Sequence, residues 1–247
     1  MTDFAKNLIA PPKCAGCGER LSAFDDTYKK AFCDSCRGEW ERVKRSTCAG
    51  CNLENVECIC QSKNIKNTRI LSLIKFGKDS RCDRLIYALK KRRNQRFFDF
   101  AVDELYRRLR AEENKFGIKP KETVFTNVPR KVGTKNLYGF DHAQILAMSL
   151  AERTDGSYQK LLLRKRGGKA QKKLGEQERQ KNVKNRFAFN KRKDIEGKTV
   201  ILIDDVLTTG ATASGCIRVL RENGAADVIL LVIARSEKKN YKKKGKK

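Results

Sequence analysis

Two adjacent carboxylates, Asp204 and Asp205, are followed after Val206 and Leu207 by a run of small and hydroxyl-bearing residues, Thr208, Thr209, Gly210, Ala211 and Thr212. Backbone amides of such a turn, placed ahead of a helix, point into one concavity and favour a phosphate. Gly210 lets the backbone approach a ligand or take a positive φ. The threonine hydroxyls add donors. Acids beside an anion site suit a ligand that carries hydroxyls close to its phosphate, because ionised carboxylates accept hydrogen bonds from a diol. A ribose 5-phosphate meets both demands. The turn is not a nucleotide-binding P-loop: no G-x-x-x-x-G-K-[ST] spacing is present and no lysine sits in it.

The elements that must position these groups are legible on either side. Val200 to Ile203 is a run of four aliphatic residues, the pattern of a strand buried on both faces, and the acids begin where it stops. Ile217 and Leu220 then recur at helical spacing. Strand, tight turn and helix in this order form the ligand edge of an open parallel sheet. The segment resembles the PRPP-binding motif of type I phosphoribosyltransferases, where PRPP is 5-phosphoribosyl diphosphate. The resemblance implies that Asp204 and Asp205 hold the ribose hydroxyls and that Thr208, Thr209, Gly210, Ala211 and Thr212 hold the 5-phosphate. It also implies magnesium bound together with PRPP.

Cysteine is the second chemical signal. Eight of the ten cysteines fall between Cys14 and Cys60. Cys14-x2-Cys17 and Cys33-x2-Cys36, fifteen residues apart, have the spacing of a four-thiolate zinc site. Cys48-x2-Cys51 and Cys58-x-Cys60, six residues apart, suggest a second site, although the last pair is less usual. Sequential pairing is preferred; interleaving Cys14 and Cys17 with Cys48 and Cys51 is the alternative. Full thiolate shells leave no open position, so these zincs are read as structural. Large apolar residues are sparse here, and metal is expected to supply most of the folding energy.

Three segments follow. Residues 1–62 read as a zinc-binding module, 63–237 as a phosphoribosyltransferase-like α/β domain, and 238–247 as a lysine-rich tail. In the α/β part, 68–76 reads as a strand and 83–91 as a helix. Phe98, Ala101, Val102, Leu105 and Leu109 mark one face of a second helix, and 122–128 is the next strand. Pro129, Arg130 and Lys131 follow that strand. They place two cations at its carboxyl edge, where type I phosphoribosyltransferases hold pyrophosphate. Asp141 with Gln144 has the pattern of a helix cap. His142, the sole histidine, reads as a capping or packing residue. A Gly167-Gly168 pair amid Arg164, Lys165, Arg166, Lys169, Lys172 and Lys173 predicts a mobile basic loop over 164–186. Phe187 and Phe189 are expected to anchor its end, and 227–234 reads as the last strand.

Taken together, several features are similar to the ComF family. They are the cysteine module, Val128-Pro129, Gly139 to Ala143, Leu162-Leu163-Arg164, Gln171 with Leu174, Arg179 with Asn182-Val183, and the Asp204–Thr212 segment. Tyr138 stands where that family often has arginine. The resemblance implies a role in DNA uptake and natural transformation or in nucleotide-related metabolism, with PRPP, single-stranded DNA and DNA-uptake proteins as partners.

The chain of 247 residues carries 56 Lys and Arg against 29 Asp and Glu, a net +27. The seven lysines of 238–247 account for only part of the excess. A dispersed positive field attracts polyanions. No apolar run of membrane-spanning length or signal-peptide pattern is visible, so the expected location is the cytoplasm. Two readings stand: a phosphoribosyltransferase with an unknown acceptor, and a non-catalytic PRPP sensor that binds single-stranded DNA. Aromatics do not interleave with the basic residues, so no stacking platform for bases is evident.

Overall fold

The structure, a computed structural model, describes residues 11–22, 30–62, 64–76, 95–116, 119, 122–130, 141–165 and 186–236. The elements, in chain order, are α1 (Asp34–Arg45), a short 3-10 turn (Asn55–Glu57), β1 (Ile70–Phe76), α2 (Gln95–Phe116) and β2 (Val124–Asn127). They continue with α3 (His142–Arg153), β3 (Ser157–Tyr158), β4 (Leu162–Arg164), β5 (Phe187–Phe189), β6 (Thr199–Leu207), α4 (Ala211–Arg221) and β7 (Asp227–Ser236). Five strands pair in the order β1-β7-β6-β2-β3, all parallel, and β4 with β5 forms a separate antiparallel pair. This is the parallel sheet with flanking helices of the type I phosphoribosyltransferase-like class.

The period-2 alternation of a strand explains why β6 and β7 carry unbroken aliphatic runs. Ile201, Ile203, Ile229, Leu231 and Ile233 feed one apolar cluster, while Val200, Leu202, Val228, Leu230 and Val232 feed the other. The first cluster also takes in Trp40 of α1, Phe97 and Leu105 of α2, and Leu146 of α3. The second takes in Ile217 and Leu220 of α4, with Leu162 and Phe187 of the β4–β5 pair. Phe98, Ala101, Val102, Leu105 and Leu109 are all buried, as their spacing predicts. Phe189 packs against the second cluster beside Phe187.

The main departure concerns β6. The aliphatic run predicts a strand ending at Ile203, yet pairing with β7 continues through Asp204↔Val232 and Val206↔Ala234 to Leu207↔Arg235. Extended pairing on one side holds the backbone straight through the two acids. Smaller shifts trim the expected strand ends, to Ile70 for β1 and to Val124–Asn127 for β2. The expected helix over 83–91 and most of the basic loop lie outside the described residues, as do Lys131, Tyr138 and the lysine-rich tail.

The cysteine-rich segment does not rest on metal alone. Phe32 and Trp40 meet Phe97 and Phe100 of α2 with ring centroids 5.0 to 6.3 Å apart. Sparse apolar residues suffice because the partner helix completes the core. Lys44 reaches the buried carboxylate of Glu104 at 2.5 Å, and Arg108 Nε donates to Val56 O at 2.8 Å. The junction at residue 62 is therefore crossed by a continuous apolar cluster and by buried polar contacts.

Trp40 is fully buried in that junction. Trp40→Ala is expected to destabilise the protein by about 3–5 kcal/mol through the cavity it leaves. Urea unfolding followed by far-ultraviolet circular dichroism checks this. The midpoint should fall for the α/β signal as well, because the aromatic cluster is shared.

Candidate functional site

The connections leaving β2 and β6 run in opposite directions. From β2 the chain passes through α3 to β3, and from β6 through α4 to β7, on the other side. Adjacent strands with diverging exits open a crevice at their carboxyl ends, where ligands of open α/β sheets bind. β2 pairs with β6 only as far as Asn127↔Ile203, and the amide of Val128 donates to Ile203 O at 2.9 Å. Beyond that point β6 has lost its neighbour on this side, and Asp204 and Asp205 line the gap.

A cavity of about 410 Å³ occupies this crevice. Asp204 to Ala213 line one wall, and Val128, Pro129, Arg130 and Arg164 line the other. All seven residues expected to bind PRPP are thus brought together, and Pro129 and Arg130 of the expected pyrophosphate loop face them. The volume suits a small phosphorylated ligand.

Gly210 caps α4 with φ +78°, the left-handed region in which a side chain is strained. The first turn-to-turn bond of the helix runs from Ser214 N to Gly210 O at 2.8 Å. The amides ahead of it lie before the helix ladder, where they are available to an anion. The Ala211 amide is satisfied locally by Thr209 Oγ1 at 3.4 Å.

Arg130 spans the crevice. Its Nη2 donates to Asp205 Oδ2 at 3.1 Å and to His142 Nδ1 at 2.7 Å, while Nε lies 3.7 Å from Asp141 Oδ1. Since a guanidinium only donates, Nδ1 of His142 is the acceptor and carries no proton. Asp141 meanwhile caps α3 by accepting from the Gln144 amide at 3.4 Å, as its spacing predicts. His142 is also stacked on Phe98, with centroids 5.1 Å apart. His142, expected to cap or to pack, packs on Phe98 and also steadies Arg130. Arg164, whose Nη1 donates to Pro129 O at 3.3 Å, is a further wall cation that spacing alone did not single out for this pocket.

Burial and the neighbouring Asp205 push Asp204 well above the usual carboxylate range. Burial beside that same carboxylate raises Cys216, a small core residue as expected. Burial, reinforced by the Arg130 charge, lowers His142 to about 4. The two pocket acids are therefore unlike: Asp205 is paired with a cation, and Asp204 is held where its charge is costly.

The cysteines gather as Cys14, Cys17, Cys33 and Cys36 in one group and Cys48, Cys51, Cys58 and Cys60 in another, with the sulfurs of each group within 4.8 Å of one another. Sequential pairing is the observed arrangement. Neighbouring sulfurs lie 3.6 to 3.7 Å apart, close to the roughly 3.8 Å edge of a tetrahedron with 2.3 Å zinc–sulfur bonds. Backbone amides of Gly16 and Gly50 point at the sulfurs of Cys14 and Cys48, at 3.4 and 3.3 Å. A Cβ on either glycine would approach within 2.7 Å of Cys36 Sγ or 2.9 Å of Cys60 Sγ, so each knuckle closes only with glycine. Both groups fit zinc by donor chemistry and spacing.

A pH prediction follows from His142. In the unfolded chain it takes a proton near 6.5, in the folded chain only near 4. Between these values the unfolded state binds more protons, so this group's contribution is intact above about pH 6.5 and is lost as pH falls toward about 4. Asp204 acts in the opposite sense, because its raised value favours the folded state at low pH. His142→Gln isolates the histidine: unfolding free energies at pH 7.5 and 5 should show the parent losing stability relative to the variant.

Comparison with known proteins agrees with this geometry. Residues 141–247 match the family described as phosphoribosyl transferase domain. Among curated proteins, the chain is 49% identical over 37 residues to ribose-phosphate pyrophosphokinase of Mycobacterium leprae, covering 15% of this chain and 11% of that one. It is 30% identical over 99 residues to DNA utilization protein YhgH of Salmonella typhi, covering 40% and 43%. The chain thus spans less than half the length of these relatives. A purine phosphoribosyltransferase from Pyrococcus horikoshii aligns with TM-score 0.35 and 19% identity, over 56% of this chain and 81% of that one. Over residues 141–247 the chain is thus similar to phosphoribosyl transferase domains, and over part of its length to DNA utilization protein YhgH.

Proposed function

We propose that the chain binds PRPP in the crevice between β2 and β6 and serves as a phosphoribosyltransferase-like protein in the handling of DNA. The observation that carries this reading is the placement of Asp204 and Asp205 on β6 directly ahead of the Gly210 turn, across a small cavity from Arg130. The turn takes the 5-phosphate on its amides, and the acids accept from the ribose hydroxyls. Arg130 and Arg164 face the diphosphate. Hard carboxylate oxygens in this wall suit Mg²⁺, which supplies charge neutralisation at the diphosphate when bound with PRPP. In the free protein Arg130 occupies Asp205, so ligand binding exchanges that ion pair for contacts to the sugar and the diphosphate.

As an enzyme, the protein would break the bond between ribose C1 and the diphosphate oxygen while an acceptor forms the new bond to C1. Fixed cations stabilise the leaving diphosphate. The non-catalytic reading keeps the same site as a sensor. Incubation with PRPP, Mg²⁺ and a panel of nucleobases, with pyrophosphate as readout, separates the two. Similarity to a DNA utilization protein and the +27 net charge support a polyanion partner. Single-stranded DNA should bind with little sequence preference and a steep salt dependence, and deletion of 238–247 should lower the salt slope without abolishing binding. Filter binding across a salt series reads both.

Asp204→Asn and Asp205→Asn each replace an acceptor oxygen by a donor at constant shape. A hydrogen bond to a charged group contributes about 1.5–3 kcal/mol, so each variant should bind PRPP about ten- to a hundredfold more weakly by calorimetric titration. Asp204→Asn should melt at the parent temperature or above it, because it removes a buried charge beside a like charge. A double Asn variant that binds PRPP like the parent removes the assignment.

A further inference from the structure

The phosphate loop is held from behind by chain that comes directly out of the second cysteine group. Asn64 Nδ2 donates to Thr209 O at 2.7 Å, and Ser62 Oγ donates to the same carbonyl at 3.3 Å. The fit is close: a Cβ at Gly210 would stand 2.7 Å from Ser62 Oγ and 3.1 Å from the Cδ1 of Ile65, itself a buried residue. The amide of Ile65 donates to Ser62 O at 3.1 Å, which closes this turn on itself. On the other side of the loop Ser236 Oγ donates to Thr208 O at 3.3 Å.

The second cysteine group is in turn seated on the sheet. Lys75 and Arg235 are register partners on β1 and β7. Lys75 Nζ lies 2.5 Å from Cys48 Sγ, and the buried Arg235 donates to Cys60 O at 2.7 Å. Four thiolates around a divalent ion carry a net double negative charge, and two neighbouring strands each present one cation to the group. The chain path is then short. Cys60 is a ligand candidate, Arg235 holds its carbonyl, and two to four residues later Ser62 and Asn64 hold the loop carbonyl.

We propose that Ser62, Asn64 and Ile65 position the phosphate loop from the second cysteine group, so that metal there and a phosphorylated sugar in the pocket favour one another. This rests on the reading of the Thr208–Thr212 turn as a phosphate site. The physical reason is pre-organisation. Amides that bind an anion must converge before it arrives, and a carbonyl fixed at Thr209 sets the orientation of the peptide that carries the Gly210 amide. The first cysteine group makes no such contact among the described residues; it packs with the aromatic cluster of α1 and α2. The two groups are therefore assigned different tasks. Because coupling is reciprocal, the factor by which metal raises ligand affinity is the factor by which ligand raises metal affinity.

The test uses the full-length protein isolated with its zinc. Asn64→Asp keeps the side-chain shape and removes the donor; Cys51→Ser removes one ligand candidate of the second group without altering the Cys60–Ile65 segment. Hydrogen exchange in the ligand-free protein is expected to quicken over 208–212 in both variants, while the segments over 14–36 and 227–235 keep the parent rate. PRPP affinity should fall about two- to tenfold in Asn64→Asp. In the parent, PRPP should slow zinc transfer to a chromogenic chelator for one of two kinetic phases, and that slowing should be absent in Asn64→Asp. Unchanged exchange over 208–212 together with parent-like PRPP binding in Asn64→Asp overturns the proposal. If the parent itself fails to bind PRPP, the reading of the site falls, and the exchange comparison alone decides whether the brace exists. Should Cys51→Ser fail to fold, Asn64→Asp carries the test.

Discussion

β6 loses its neighbour on one side four residues before it loses the other. Pairing with β2 ends at Ile203, whereas pairing with β7 runs to Leu207. That asymmetry is the constraint from which the site follows. Up to Ile203 the strand is enclosed by neighbours and by apolar layers above and below, and only aliphatic residues fit. From Asp204 onward one edge opens while the other is still held by ladder hydrogen bonds. Polar side chains become admissible there without loss of backbone order, so the acids are presented by a rigid strand rather than by a loop.

Placing two carboxylates side by side at such a point opposes stability. Asp204 is pushed toward its neutral form by burial and by Asp205, and Asp205 is compensated by Arg130. Arg130 is itself aligned by His142, which burial keeps neutral and therefore able to accept. A chain of dependence runs from the stacking of His142 on Phe98, through Arg130, to the pocket acid. A locally unfavourable charge of this kind is the sort of exception to stability that proteins retain at functional sites.

The cysteine-rich segment contributes to this site through geometry. One cysteine group is embedded in the aromatic layer that covers one face of the sheet; the other sits at the carboxyl end of β1 and β7, and the chain leaving it runs directly to the turn at Thr209. A zinc module appended for stability alone would need the first connection and not the second.

Much of the architecture was legible in the residues because the physics behind it is local. Val200 to Ile203 has the pattern of a doubly buried strand, Thr208 to Gly210 that of a tight polar turn before a helix, and cysteine pairs at knuckle spacing bring their sulfurs together locally. Asp141 as a cap is equally local, since cap and amide are three residues apart. What the tertiary structure alone decided is everything that depends on which distant segments meet. The strand outran its aliphatic signal because β7 goes on pairing with it. Trp40 found a core in a helix some sixty residues away. His142 acquired Arg130 as a partner, and Asn64 reached Thr209 across 145 residues of chain. No spacing rule encodes such contacts, because the chain between them is free to take many paths and only the packed sheet selects one.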